Sequence, residues 1–120
     1  MSSLTDALFA LSPKVRYVAV LSGKELLLHE RPGLAGASAS ETDRYEELLV
    51  NPAVLTLLRR RGEIDCGGLD HVWIRYGNFW TGLFPTSDGH VNVGLEPEEV
   101  PTQYVDRIRA VLERLAPRTR

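Results

Sequence analysis

The 120-residue sequence predicts an α+β fold in a single domain spanning 1–120: an α-ββ-α-βββ-α sandwich on a five-stranded antiparallel sheet. Three observations carry that expectation. Two blocks rich in β-branched and aromatic residues, 15–30 and 71–95, are each broken by short turn sequences, the pattern of antiparallel hairpins rather than of parallel crossovers. Segments with apolar residues at helical spacing lie before, between and after these blocks. A chain of this size with 43% hydrophobic and 25% charged residues buries about two-thirds of its unfolded surface, enough for one core.

The first helix is read from Leu4, Ala7, Leu8 and Leu11, with Ser3 placed to cap it three residues before Asp6 and Pro13 placed to stop it. From Val15 the pattern changes. VRYVAVLS, the turn Ser22-Gly23-Lys24 and ELLLHE predict a hairpin buried on both faces. The segment RPGLAGASAS (31–40) reads as one long loop, too short to separate two domains. A second helix opens at Ser40 with Asp43, and Tyr45, Leu48 and Leu49 share one of its faces. Asn51-Pro52 reads as a fresh N-cap and first-turn pair, so the helix is expected to kink or restart there. It continues through Val54, Leu55 and Leu58 to Arg59-Arg60-Arg61-Gly62, where three cations at the negative end of the dipole and a glycine read as its end.

HVWIRY, a Gly77-Asn78 turn and FWTGLF predict a two-residue hairpin that sets Tyr76 opposite Phe79, Ile74 opposite Thr81 and Val72 opposite Leu83. This row is expected to be the core face. The other face then carries His71, Trp73, Arg75, Trp80, Gly82 and Phe84, with Arg75 beside Trp80 and Trp73 over Gly82. HVNVGL follows the PTSDG turn; to keep Val91, Val93 and Leu95 on the same core face, Phe84 has to oppose His90 or Asn92. That demands an odd loop and sets aside a two-residue Asp88-Gly89 turn. Val105, Ile108, Leu112 and Leu115 define a last amphipathic helix, stopped by Pro117.

The charge balance, 14 basic against 16 acidic residues with a net charge of -2, gives no excess to track a polyphosphate backbone, so a nucleic-acid partner is not expected. No apolar stretch reaches the ~20 residues of a spanning helix, and the first residues lack the basic region of a secretion signal, so a cytoplasmic protein without a membrane span is expected. A lone Cys66 permits neither an internal disulfide nor a multi-cysteine zinc cluster; without an identifiable base beside it, it reads as a small buried filler. Ser22-Gly23-Lys24 lacks the glycine spacing of a phosphate loop, and Gly33 and Gly36 make no dinucleotide fingerprint. His29, His71, His90 and Cys66 match no metal-ligand spacing; only His71 and His90 are expected to share a face, short of a zinc site. No catalytic residue, cofactor or metal is therefore assigned, and a non-enzyme is expected.

Taken in order, these elements resemble the roadblock/dynein-light-chain family over nearly the whole chain. The resemblance is carried by YVAVLSGKELL (17–27) as the first hairpin, by the central helix 41–61, and above all by LDHVWIRYGNFWTGLFPTSDGHVNVGLEP (69–97). The last segment is similar to the family's strand, strand, P-x-x-D/G turn, strand and acidic loop before the final helix. Profilin-like, longin and sensor folds share related sheets. The sequence departs from typical members at Asn51-Pro52, where most central helices are continuous, and in its Gly/Ser-rich loop 31–40. The resemblance implies a roadblock/profilin-like sheet and a non-enzymatic dimer, joined through the third strand and the central helix. Its implied role is scaffold or regulator of a Ras-like small GTPase or of a signalling or motility complex. The interface residues expected on that basis are Val72, Trp73, Ile74 and Arg75 on the strand, and Tyr45, Leu49, Arg59 and Arg60 on the helix. In the implied sheet order the strand is an edge, and it lacks the lysine or proline that guards a free one. The alternative is a small-ligand or signal-sensing domain of related fold, its pocket lined by His71, Trp73, Trp80 and His90.

Overall fold

A computed structural model describes residues 2–34, 36–37 and 39–115. The chain runs through α1 (Ser2–Phe9), β1 (Val15–Ser22), β2 (Glu25–Glu30), α2 (Ser40–Tyr45), a π-helical turn (Glu46–Val50) and α3 (Asn51–Asp65). It continues through β3 (Val72–Arg75), β4 (Trp80–Pro85), β5 (Gly89–Leu95), a short 3-10 turn (Pro101–Gln103) and α4 (Val105–Leu115). The strands form one antiparallel sheet in the order β2-β1-β5-β4-β3. Thus β2 and β3 are its edges. Among the described residues no helix is long and apolar enough to cross a membrane.

The β3–β4 hairpin has the expected register. Val72 faces Leu83, Ile74 faces Thr81 and Arg75 faces Trp80, and the Tyr76 N–H donates to the Phe79 carbonyl at 2.9 Å across the turn. The next turn differs from expectation. Thr86 donates to the Gly89 carbonyl, so Ser87 and Asp88 alone make the turn and Phe84 pairs with Val91, not with His90 or Asn92. This exchanges the two faces of the sheet. Val91, Val93 and Leu95 share their face with Trp80 and Phe84, and together with Val15, Val18 and Val20 they pack against Leu4 and Leu8 of α1 and Ile108 and Val111 of α4. The aromatic row is the dry core face, and the row expected as core, Val72, Ile74, Thr81 and Leu83, lies on the other side with His90 and Asn92. Strand β4 is buried along nearly its whole length, and a strand buried on both faces has no polar row to mark its outside.

Other expectations are corrected too. Ser3 lies within α1, which begins a residue earlier, rather than capping it. Strand β1 is buried on both faces, but β2, which among the described residues pairs only with β1, is half exposed to exposed along its length. Asn51 is not an N-cap: the helix passes through it, its N–H reaching back five residues to the Glu46 carbonyl in the π turn. Pro52 explains that turn, since a proline has no N–H to bond the carbonyl four residues back and crowds it. The helix also outruns Gly62. Gly62 is buried mid-helix, where a Cβ would press on the Gly68 and Leu69 backbone. The true end comes at Gly67 and Gly68, which take positive φ while the Cys66 and Gly68 N–H groups close on the Gly62 carbonyl. The arginine run is therefore not cap chemistry, and Arg61 pairs with Asp65 one turn on, at 2.8 Å. Cys66 is exposed, not a buried filler. The stop expected at Pro117 lies outside the described residues.

Candidate functional site

The strand residues expected at an interface lie on an open edge. Among the described residues strand β3 pairs only with β4, and the hairpin register turns the N–H groups of Val72, Ile74 and Tyr76 toward β4 and those of Trp73 and Arg75 outward. The side chains of Val72, Trp73 and Ile74 are half-buried and Arg75 is exposed. Trp73 lies across Gly82, where any Cβ would run into its ring, and meets Phe84 edge-to-face at 5.9 Å. The Arg75 guanidinium sits 5.7 Å from the Trp80 ring and donates to the Tyr76 and Gly77 carbonyls. The two tryptophans thus fill the dry core from within the chain.

His71 stacks flat on Phe84 at 5.3 Å and contacts Asp70, which Arg109 of α4 also binds. It is on the dry face, whereas His90 is on the opposite face. The pocket expected from His71, Trp73, Trp80 and His90 is therefore not assembled, and neither is the His71–His90 pair.

Two of the helix residues, Tyr45 and Leu49, are exposed by about 60% each. Leu57 and Ile64 continue their row at helical spacing and are equally open to solvent. The result is an apolar stripe on the outer side of the central helix. Arg60 is exposed, and Arg59 lines a depression of about 310 Å³ with Thr56, Asp88 and His90. The two ends of the helix meet the segments that flank β3: Gly62 abuts the 68–69 backbone just before the strand, and Tyr45 and Val50 line a groove with the turn just after it.

Beneath the helix lies a cluster that sequence reasoning missed. Glu47, fully buried in the π turn, accepts four hydrogen bonds. His90 Nε2 and Asn51 Nδ2 reach Oε1 at 2.7 and 3.0 Å, and Asn92 Nδ2 and the Tyr17 hydroxyl reach Oε2 at 2.7 and 2.8 Å. A carboxylate can be buried when donors replace its water shell. Burial, then the charge of Glu47, raises the Tyr17 pKa far above its ordinary value, so the phenol keeps its proton and donates. Signals for the cluster were present in His90-x-Asn92 at strand period and Glu47-x-x-x-Asn51 at helix period. They were masked by the exchanged faces and by reading Asn51 as a cap.

Beside this cluster, Glu46 lines an open groove of about 400 Å³ between the helix and the β3–β4 turn, facing Tyr45, Tyr76 and Phe79. Burial, then the neighbouring Glu47 charge, pushes the Glu46 pKa up to about 7, although the Tyr76 hydroxyl donates to it. Next to the groove Arg16, at a β-bulge where the β1–β5 register slips, lies 5.0 Å from the Phe79 ring centre and pairs with Glu96 at 3.1 Å. Among the described residues, no group of three or more His, Cys, Asp or Glu side chains is placed to hold a metal ion. A scan against protein-family models finds no match to the chain, and a search of curated proteins finds none either.

Proposed function

We propose that the chain is a homodimeric, non-enzymatic scaffold or regulator serving a Ras-like small GTPase or a related signalling or motility complex, as its resemblance to roadblock/dynein-light-chain proteins implies. The observation that carries the reading is the juxtaposition of two unsatisfied surfaces. The outward N–H row of β3 has no lysine or proline to guard it, and the helix whose ends meet the segments on either side of that strand exposes Tyr45, Leu49, Leu57 and Ile64. An edge of that kind is a template for another strand, and a two-fold axis along it brings Leu49, Leu57 and Ile64 of the two helices together with the strands, with Tyr45, at the end of the stripe, left open to the groove by the β3–β4 turn. The strand order β2-β1-β5-β4-β3 supports the reading, because it leaves β3 at the rim.

Light scattering after gel filtration tests it. A dimer has twice the 13.4 kDa of the chain; a species of 13.4 kDa at tens of micromolar overturns the reading. The scaffold role further expects that the purified chain neither binds nor hydrolyses GTP, since its sequence offers no phosphate-cradling loop. Saturable binding of a labelled guanine nucleotide to the chain alone would contradict it.

A further inference from the structure

We propose that the groove between the central helix and the β3–β4 turn is a docking site for a basic side chain, an arginine or lysine presented by a protein partner. The argument begins with shape. The groove, about 400 Å³, is open at the surface and large enough for a guanidinium or ammonium group with its aliphatic stem. One side is a corner made by Tyr76 and Phe79, whose rings meet edge-to-face at 5.8 Å and 69°. Across from it stand Tyr45, exposed by 59%, and Val50. Aromatic faces attract cations through their quadrupole, and the stem of a long basic side chain packs on apolar walls.

Charge selects the occupant. Among the described residues, Glu46 is the one acidic side chain lining the groove, and no lysine, arginine or histidine lines it. Behind it on the same helix stand Glu47 and Asp43, and their charges, added to burial, make Glu46 hold its proton to about pH 7. The Tyr76 hydroxyl donates to it but brings no charge. Arg16 lines a smaller neighbouring cavity with Glu46 and Asp43 but not the groove itself, and its guanidinium donates to Glu96 and the Asn78 carbonyl, at 3.1 and 3.3 Å. His90 donates into Glu47. A carboxylate in this position gains most from a cation that arrives from outside, and the aromatic walls exclude a competing anion.

The turn is also held in place for this task. Asn78 Nδ2 donates to the Gly36 carbonyl at 3.3 Å, and a Cβ on Gly36 would press on the Asn78 side chain at 3.0 Å. The glycine in the long loop thus lets that loop close down on the turn and brace one wall of the groove. The proposal rests on the scaffold reading only for the source of the cation, a partner protein; the site itself requires a cation and nothing more.

The test titrates the 15N-labelled chain with N-acetyl-arginine amide, using N-acetyl-citrulline amide as the neutral isostere. Saturable amide shifts confined to Tyr45, Glu46 and 76–79 are expected with arginine. Citrulline should bind about tenfold more weakly or worse, the loss of one charge-assisted contact. Glu46→Gln should weaken arginine binding by a similar factor and Tyr45→Ala, on the exposed wall, by several-fold, each with the rest of the spectrum unchanged. Equal shifts with citrulline, no saturation with arginine, or undiminished binding in a folded Glu46→Gln protein overturns the site. A monomeric chain that still binds arginine would sink the dimeric scaffold and leave the groove standing, whereas a dimer indifferent to arginine would do the reverse.

Discussion

On one face of β1, β4 and β5, Val18, Val20, Phe84, Val91, Val93 and Leu95 meet α1 and α4 as a cluster of hydrocarbon. On the other face of the same strands, Tyr17, His90 and Asn92 meet the central helix through one carboxylate, Glu47. The first face is held by many small, non-directional contacts, so it sets volume and hydrophobicity but only loosely the position of any one helix. The second is held by few, directional bonds to a single acceptor, and these are satisfied in one placement of the helix alone. The difference shows in what each helix layer leaves over. Helices α1 and α4 bury Leu4, Leu8, Ile108 and Val111, while the central helix buries Leu55 but commits Glu47 and Asn51 to a polar anchor and leaves Tyr45, Leu49, Leu57 and Ile64 in water.

The largest effect expected from this contrast is at Glu47. Replacing it by alanine strands four donors at once, three of them on the buried residues Asn51, His90 and Asn92, and the chain should lose about 3–5 kcal/mol in urea denaturation. Ile108→Val on the dry face trims one methylene from a core residue that is fully buried and should cost about 0.5–1.5 kcal/mol. Equal losses for the two variants would mean that the polar anchor contributes no more than ordinary packing, and the comparison would fail.

The dry face and the polar face were also unequally legible in the sequence. The order of helices and strands, the β3–β4 register and the pairing of Arg75 with Trp80 follow from local spacing and turn length, and the structure has them as expected, whereas the helix ends lie elsewhere. The assignment of faces does not follow locally, because it hangs on whether the loop after Phe84 is odd or even. Both rows of β4 and β5 are buried, so hydrophobicity gave no arbiter, and the valines of β5 were joined to the wrong row. The Glu47 cluster joins residues 17, 47, 51, 90 and 92, distant in sequence, and becomes visible only once the strand order and the π turn are known. The edge position of β3 came from the resemblance, not from periodicity.

A second, smaller effect sharpens what the central helix and β3 leave open. Trp73 is the obvious residue to probe, since its N–H points away from β4, but its ring packs on the core and its loss would confuse the two roles. Arg75 has the same outward N–H and an exposed side chain. Arg75→Pro should weaken dimerisation by about tenfold or more through loss of an interchain donor, with the circular dichroism of the folded chain retained, while Arg75→Ala stays close to the parent. Ile74→Pro, which removes a donor aimed at β4, should instead unfold the hairpin. If Arg75→Pro dimerises like Arg75→Ala, the strand is not the interface and the helix stripe alone is left to carry it.

The smallest effect is a pH dependence on the polar side, and its sign is fixed by the direction of one shift. Glu46 titrates near 4.5 when unperturbed and is pushed up to about 7 in the folded chain, by burial first and the Glu47 charge second. The folded state therefore binds this proton more tightly than the unfolded state does. Its contribution to stability is fully present below pH 4.5 and is lost progressively as the pH rises through 7. Among the described residues, the groups around Glu46 are Asp43 and Glu47 from its own helix, Tyr76 from the β3–β4 turn, His90 from β5, Arg16 and Tyr17 from β1 and Glu30 from β2. Since they titrate in the parent and in the variant alike, the informative quantity is the difference between the two. Glu46→Gln carries no ionisable proton at this position, so its Tm should fall less than that of the parent between pH 5 and 7.5, and the two curves should converge toward acid. The parent Tm should recover at pH 7.5 on addition of N-acetyl-arginine amide, which supplies the charge that the proton supplied at pH 5, and the Glu46→Gln chain should show no such recovery. Parallel curves for the two proteins would show that Glu46 ionises as freely folded as unfolded, and the groove would then lack the unbalanced carboxylate that gives it a preference for cations.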